Sequence, residues 1–137
     1  MTNQLELCLS NRQAEIARAQ DELEKFAAQF AFPVRALHDV QLALEEHLTN
    51  IVNHAYPDEQ EHRITIRLLF KQPELRIEVE DDGRPFNPLA RPAPDLSLPL
   101  DQRPIGGLGI FMIQKLLDSV EYRREHDKNV LVMVKRA

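Results

Sequence analysis

Six of the nine prolines, Pro85, Pro88, Pro92, Pro94, Pro99 and Pro104, fall between Gly83 and Gly106. Proline removes a backbone donor and fixes φ, so a stretch this dense in it excludes helix and central strand alike. All four glycines, Gly83, Gly106, Gly107 and Gly109, bound or follow the same stretch. The chain must therefore fold as two regular portions around one long loop, and a loop of that length inside a compact domain is functional or disordered.

Hydrophobic periodicity assigns the regular portions. Leu5, Leu7 and Leu9 alternate with Gln4, Glu6 and Ser10, which predicts a half-buried first strand with Cys8 on its other face. Ser10 and Asn11 then offer N-cap side chains to a helix from Arg12 to Phe30, in which Ile16, Ala19, Leu23, Phe26, Ala27 and Phe30 form one apolar stripe. Pro33 suits the first turn of a second helix running to about His54, with Leu37, Val40, Leu44, Leu48 and Ile51 facing the core. Ile64, Ile66 and Leu68, then Leu75, Ile77 and Val79, alternate with charged or polar residues, which predicts a hairpin turning at Lys71, Gln72 and Pro73. Past the glycines, Ile110, Ile113, Leu116 and Leu117 predict a third helix, followed by strands at Ser119 to His126 and Asn129 to Arg136.

Strand, two helices, two strands, loop, helix and two strands argue for an α+β domain with a mostly antiparallel sheet and helices on one face. At 15.8 kDa the 137 residues suit a single domain, 1–137. The net charge of −5 has its signs mixed along the chain. No basic face offers counterion release from nucleic acid, which excludes that partner class. No apolar run approaches the roughly 20 residues of a membrane span, and the N-terminus lacks a secretory pattern, so a cytosolic protein is expected. Cys8 is the lone cysteine, which excludes an internal disulfide or a cysteine-rich metal cage. It is expected as a small core residue.

Three constellations are able to carry chemistry. On the second helix, Glu46 and Asn50 stand one turn apart, and Asn53 lies three residues further along the same strip, beside the apolar stripe. A carboxylate and two amides there suit a hydrated cation and a proton acceptor. Taken alone, such a pair is more commonly an exposed contact of an amphipathic helix, although two asparagines in mid-helix go against helix propensity. At the end of the strand from Glu74, alternation puts Asp81 on the face of Leu75, Ile77 and Val79, and Asp82 with Glu78 and Glu80. A carboxylate on the buried face needs donors. A ligand amino group such as adenine's would supply one, and Gly83 permits positive φ or close approach of a ring. An ordinary Asp-Gly-Pro turn explains the same residues. Lastly, Gly106, Gly107, Leu108 and Gly109 precede a helix, whose backbone donors bind phosphate well. The spacing is neither that of a Walker A loop nor that of a dinucleotide fingerprint, and a hinge is the alternative.

In this order the three constellations resemble the Bergerat-fold (GHKL) ATP-binding family that includes gyrase, histidine kinases and mismatch-repair ATPases. Glu46 to Asn50, with His54, Ala55 and Tyr56, is similar to its N box; Asp81, Asp82 and Gly83 to its adenine box; Gly107, Leu108 and Gly109 to its glycine box. The proline-rich span, about 84–105, then takes the position of the ATP lid. The resemblance is nearest to the small stand-alone anti-sigma-factor serine kinases. It spans nearly the whole chain and is carried by Leu44-Glu45-Glu46-His47-Leu48-Thr49-Asn50, by Asp82-Gly83-Arg84-Pro85-Phe86-Asn87-Pro88 and by Gly106-Gly107-Leu108-Gly109-Ile110-Phe111.

That resemblance implies a two-layer α/β sandwich with a mixed, mostly antiparallel sheet and three main helices on one face. It implies Glu46 as the general base for a substrate serine, Asn50 as ligand to Mg²⁺ on the ATP phosphates, and Asp81 as acceptor for the adenine amino group. Gly83 would leave room for the ring, while Asn53 and the cluster Gly106, Gly107, Leu108 and Gly109 would face the phosphates. Arg84, Arg91 and Arg103 are candidates for a phosphate contact. Two positions depart from the family pattern: Asn53 stands where many relatives carry lysine or arginine, and Asn129 where they usually present a threonine near the adenine. The implied partners are a STAS-type anti-sigma-factor antagonist as serine substrate and a sigma factor or similar target, with a homodimer through the sheet. The rivals are a module of the same fold that binds nucleotide without phosphoryl transfer, and an α+β protein with no nucleotide.

Overall fold

The computed structural model describes residues 3–58, 60–90 and 113–137. In chain order these form β1 (Gln4–Ser10), α1 (Ala14–Ala28), α2 (Val34–His54), β2 (Arg63–Lys71), β3 (Glu74–Asp81), a 3-10 turn at Pro88–Ala90, β4 (Ser119–Glu125) and β5 (Lys128–Arg136). Residues 113–116 are also helical. Gly106, Gly107, Leu108, Gly109, Arg91, Arg103, most of the expected lid and the start of the third helix lie outside the described residues.

The five strands make one sheet in the order β1-β2-β3-β5-β4, and each of its four pairings is antiparallel. The fold is α+β, as the element order implies. Alternation decides which face each strand buries. Leu7 and Leu9, Ile64, Ile66 and Leu68, Leu75, Ile77 and Val79, and Leu131 and Met133 share one core with Ile16, Leu23 and Phe26 of α1 and Leu44, Leu48 and Ile51 of α2. Ile113 and Leu117 are buried in the same core. Among the described residues no helix is long and apolar enough to cross a membrane.

On the opposite face Val130, Val132 and Val134 form a separate buried stripe. Long charged side chains lie over the sheet there. Arg123 reaches Glu78 at 2.7 Å, Arg67 reaches Glu80 at 3.5 Å, and Lys128 reaches Glu80 at 3.5 Å. Largely solvent-exposed pairs of this kind contribute at most about 1 kcal/mol each.

Three local expectations are corrected. Cys8 is exposed, not a core residue, because it pairs with Thr65 on the outward face while Leu7 and Leu9 take the inward one. Neither Ser10 nor Asn11 caps α1, which begins after Gln13. The chain there is held the other way round: the Glu15 carboxylate reaches back to accept from the Ser10 backbone N–H at 3.2 Å. Asn11 instead ties down the segment before β2, accepting from the His62 N–H at 2.9 Å. The last hairpin turns at His126 and Asp127, whose φ values of 52° and 60° suit a two-residue turn matched to strand twist, so β4 stops at Glu125.

Candidate functional site

The site forms where the C-terminal half of α2 meets the ends of β3 and β5. Asp81 and Asn129 are directly opposite in the β3–β5 register, and Asn129 is in turn opposite Arg124 of β4. Asp81 follows Leu75, Ile77 and Val79 onto the helix-facing side, as alternation requires, and is buried to 3% exposure. A small cavity of about 30 Å³ opens there, lined by His47, Asn50, Ile51 and His54 of α2, by Ala55 just past it and by Asp81, Arg84, Phe86, Tyr122, Asn129 and Leu131. The lining has the mix of apolar wall and few polar groups found at small-molecule sites.

The two hydrogen bonds that Asp81 receives from described residues both go to Oδ1: Gly83 N–H at 3.0 Å and Asn129 Nδ2 at 3.1 Å. Its pKa is raised, chiefly by burial, with those two donors opposing. A ligand donor at the other oxygen would offset that desolvation. Asn50 lines the same cavity, half-buried. Glu46, one turn earlier, is half-buried but does not line it, and Asn53 is exposed on the adjoining surface. The structure thus brings Asn50 and Asp81 together, with Glu46 at the neighbouring turn. Among the described residues no group of three or more His, Cys, Asp or Glu side chains is arranged to hold a metal by itself.

Gly83 is not among the residues that line the cavity. Its φ lies outside the left-handed region, and a Cβ there would stand 2.7 Å from Ala55 Cβ and 2.8 Å from the Ala55 carbonyl oxygen. The missing side chain lets the end of β3 close against the end of α2, where Arg84 N–H bonds the Ala55 carbonyl at 3.0 Å. Arg84 lines the cavity.

Several site residues escaped sequence reading. His47 is 6% exposed, its Nδ1 has no hydrogen-bond partner among the described residues, and burial lowers its pKa to about 4, which keeps it neutral. It stands three residues after Leu44 and four before Ile51, and that spacing is the signal that could have found it on the core side of the helix. His62 is wedged at the site's edge, Nε2 2.9 Å from Asp58 and Nδ1 3.4 Å from Asp82. Its ring stacks on Tyr56 at 4.2 Å and 10°. Asp58 first, and Asp82 after it, raise the His62 pKa. Burial and the carboxylates of Asp81 and Asp82 raise that of Tyr56.

Residues 9–135 match the histidine kinase-like ATPase domain family. A serine-protein kinase RsbW of Listeria monocytogenes is 28% identical over 138 residues, covering 98% of this chain and 87% of the relative. One from Bacillus cereus is 32% identical over 112 residues, covering 79% and 68%. The fold is similar to that in a crystal structure of the RsbU and RsbW domains of a Mycobacterium tuberculosis protein, with a TM-score of 0.68 over 98% of this chain at 15% identity. The present chain spans 32% of that longer one.

Proposed function

The chain belongs to the histidine kinase-like ATPase domain family, and from that premise we propose that it is a cytosolic ATP-dependent protein-serine kinase that also holds a regulatory partner. The observation that carries the reading is the meeting of Asn50 and Asp81 in one cavity. These residues come from separate elements, and each brings a polar group that the fold itself leaves room to use. The serine-protein kinases among the relatives support the choice of reaction.

In this reading Asp81 accepts a hydrogen bond from the adenine amino group. Asn50 would hold Mg²⁺, which would neutralise phosphate charge, and Glu46 takes the proton of the substrate serine. The donor set suits magnesium, which keeps several waters and binds through one or two protein oxygens plus phosphate, not in an all-protein cage. Gly106, Gly107, Leu108 and Gly109 would add backbone donors, with Arg84 and Asn53 near the phosphates. As the serine Oγ–phosphorus bond forms, the bond from the γ-phosphorus to its bridging oxygen breaks, ADP departs and the proton passes to Glu46. Such transfer needs mainly positioning and charge neutralisation, so this small set is sufficient.

The substrate proposed is a STAS-type anti-sigma-factor antagonist, and the held partner a sigma factor or similar regulator, with the kinase as a homodimer through the sheet. The test is titration of the protein with ATP and Mg²⁺, followed by incubation with candidate antagonists and mass spectrometry of their serines. Glu46→Gln is expected to bind ATP as the wild type does and to transfer no phosphate. Wild-type transfer by that variant would remove Glu46 from its role. A melting temperature unmoved by ATP would remove the nucleotide.

A further inference from the structure

A primary amide has two N–H donors and an oxygen with two lone pairs, and a buried one is stable only when these are matched. Asn129 is 6% exposed, and the protein uses all four positions. Nδ2 donates to Asp81 Oδ1 at 3.1 Å and to the Arg84 carbonyl at 2.9 Å. Oδ1 accepts from the Phe86 N–H at 3.3 Å and from the Tyr122 hydroxyl. The side chain lines the cavity and yet has no bond to spare for a ligand. It joins four segments: the end of β3, the chain after Gly83, β4 and β5.

We propose that Asn129 is the positioning residue of the base pocket, fixing the Asp81 carboxylate through Oδ1 so that its other oxygen is the one left for a ligand donor, and fastening Arg84 and Phe86 as the pocket wall. The inference rests on the adenine reading of Asp81 and deepens it: the base is read by one residue and held in register by another that does not touch it. Arg124 assists from the next strand, its Nη1 donating to the Gly83 carbonyl at 2.9 Å. The β4–β5 hairpin therefore sets the geometry of a group carried by β3. A threonine at position 129 offers one donor and a shorter reach. It is able to satisfy Asp81 or the Arg84 carbonyl, but not both, and it returns no comparable acceptor to Phe86 and Tyr122 together.

The test uses the full chain with Mg²⁺ and ATP as probe, and separately the nucleotide-free protein labelled for carboxyl ¹³C detection. In Asn129→Thr, ATP affinity is expected to fall about tenfold, and the Asp81 carboxyl to titrate at higher pH than in the wild type, because a donor to its charged form is lost. Asn129→Asp puts a second carboxylate beside the first, and two carboxylates sharing a site cannot both ionise easily. That variant is expected to bind ATP weakly near neutral pH and to recover as the pH falls, a profile that simple loosening of the fold would not produce. Should it fail to fold, Asn129→Thr carries the test alone. Unchanged Asp81 titration together with unchanged ATP affinity in Asn129→Thr would overturn the proposal. A wild type that binds no ATP, with the Asp81 titration still displaced by Asn129→Thr, would overturn the nucleotide reading and uphold the positioning of Asp81.

Discussion

Gly83 lies so close to Ala55 that a Cβ on it would stand 2.7 Å from the alanine's own Cβ. The contact joins the chain just past β3 to the first residue past α2, the two elements that supply Asp81 and Asn50. Helix and strand are thereby fixed to each other at the cavity.

Gly83→Ala is therefore an overpacking change at a junction that includes backbone. The added methyl would also meet Asp81 Oδ1 at 2.9 Å. Forced relief of such contacts costs about 1–3 kcal/mol. Urea unfolding is expected to show a free energy of unfolding lowered by that amount and a correspondingly lower midpoint, with ATP affinity falling alongside because Asp81 must shift. A midpoint equal to the wild type would show that the junction yields without strain.

Stability should depend on pH through two histidines of opposite sense. His47 has a folded pKa lowered to about 4 from 6.5, so below neutrality the unfolded chain binds more protons than the folded one. Its contribution is complete above pH 6.5 and is lost as pH falls toward 4. The full span is on the order of 3 kcal/mol. His62 has a raised pKa, so its pairing with Asp58 and Asp82 is complete below the unfolded value and is lost as pH rises through the folded one. Urea midpoints are expected to peak between the two. In His47→Leu the acid limb should flatten, and in His62→Gln the alkaline limb should. An acid limb of wild-type slope in His47→Leu would contradict the assignment.

Ala31 carries a φ of 52° just past α1, with Phe32 N–H bonded to the Ala27 carbonyl and Ala31 N–H to the Ala28 carbonyl. These are the two bonds of a Schellman helix end, and glycine is the usual residue at that left-handed position. An alanine there carries a strain of about 1–2 kcal/mol that glycine would not, partly offset by glycine's greater freedom when unfolded. Ala31→Gly is expected to stabilise the protein by about 1 kcal/mol, read as a rise in melting temperature with ATP affinity unchanged. A lower melting temperature would mean that the methyl's packing outweighs its strain.

The sequence carried the layout of the site where short-range periodicity decides it. Two-residue alternation put Asp81 on the buried face of β3, and helical spacing put Glu46 and Asn50 on one strip of α2. The same alternation had already turned Cys8 away from Leu7 and Leu9, and only the general tendency of cysteine to be buried argued otherwise. What stayed hidden depends on which distant segments meet. Neither a turn rule nor room for a ligand says that Gly83 faces Ala55, and nothing local to Asn129 reveals four partners on three other segments. The spacing of His47 from Leu44 and Ile51 is compatible with the core side, but that its Nδ1 lacks a partner among the described residues follows only from the packed environment.

The sharpest separation of folding from function falls at Asp81. Its Oδ1 accepts from Gly83 and Asn129, and an asparagine in its place would keep an oxygen for both donors. The substitution would remove a carboxylate whose pKa burial has raised, and with it the cost of holding that charge away from water. Asp81→Asn is therefore expected to fold at least as stably as the wild type. The other end of the side chain, however, becomes an N–H₂ group, so the adenine amino group would meet a donor in place of an acceptor. Leaving two donors opposed in a buried site costs about 1–3 kcal/mol, which corresponds to roughly a ten- to hundredfold loss of ATP affinity. A base with a carbonyl at that position, as in GTP, would lose less or gain. Calorimetric titration with ATP and GTP, alongside urea unfolding, reads both effects. Loss of stability and affinity together would show that Asp81 serves the fold, while retained ATP affinity with retained stability would show that the base is read elsewhere.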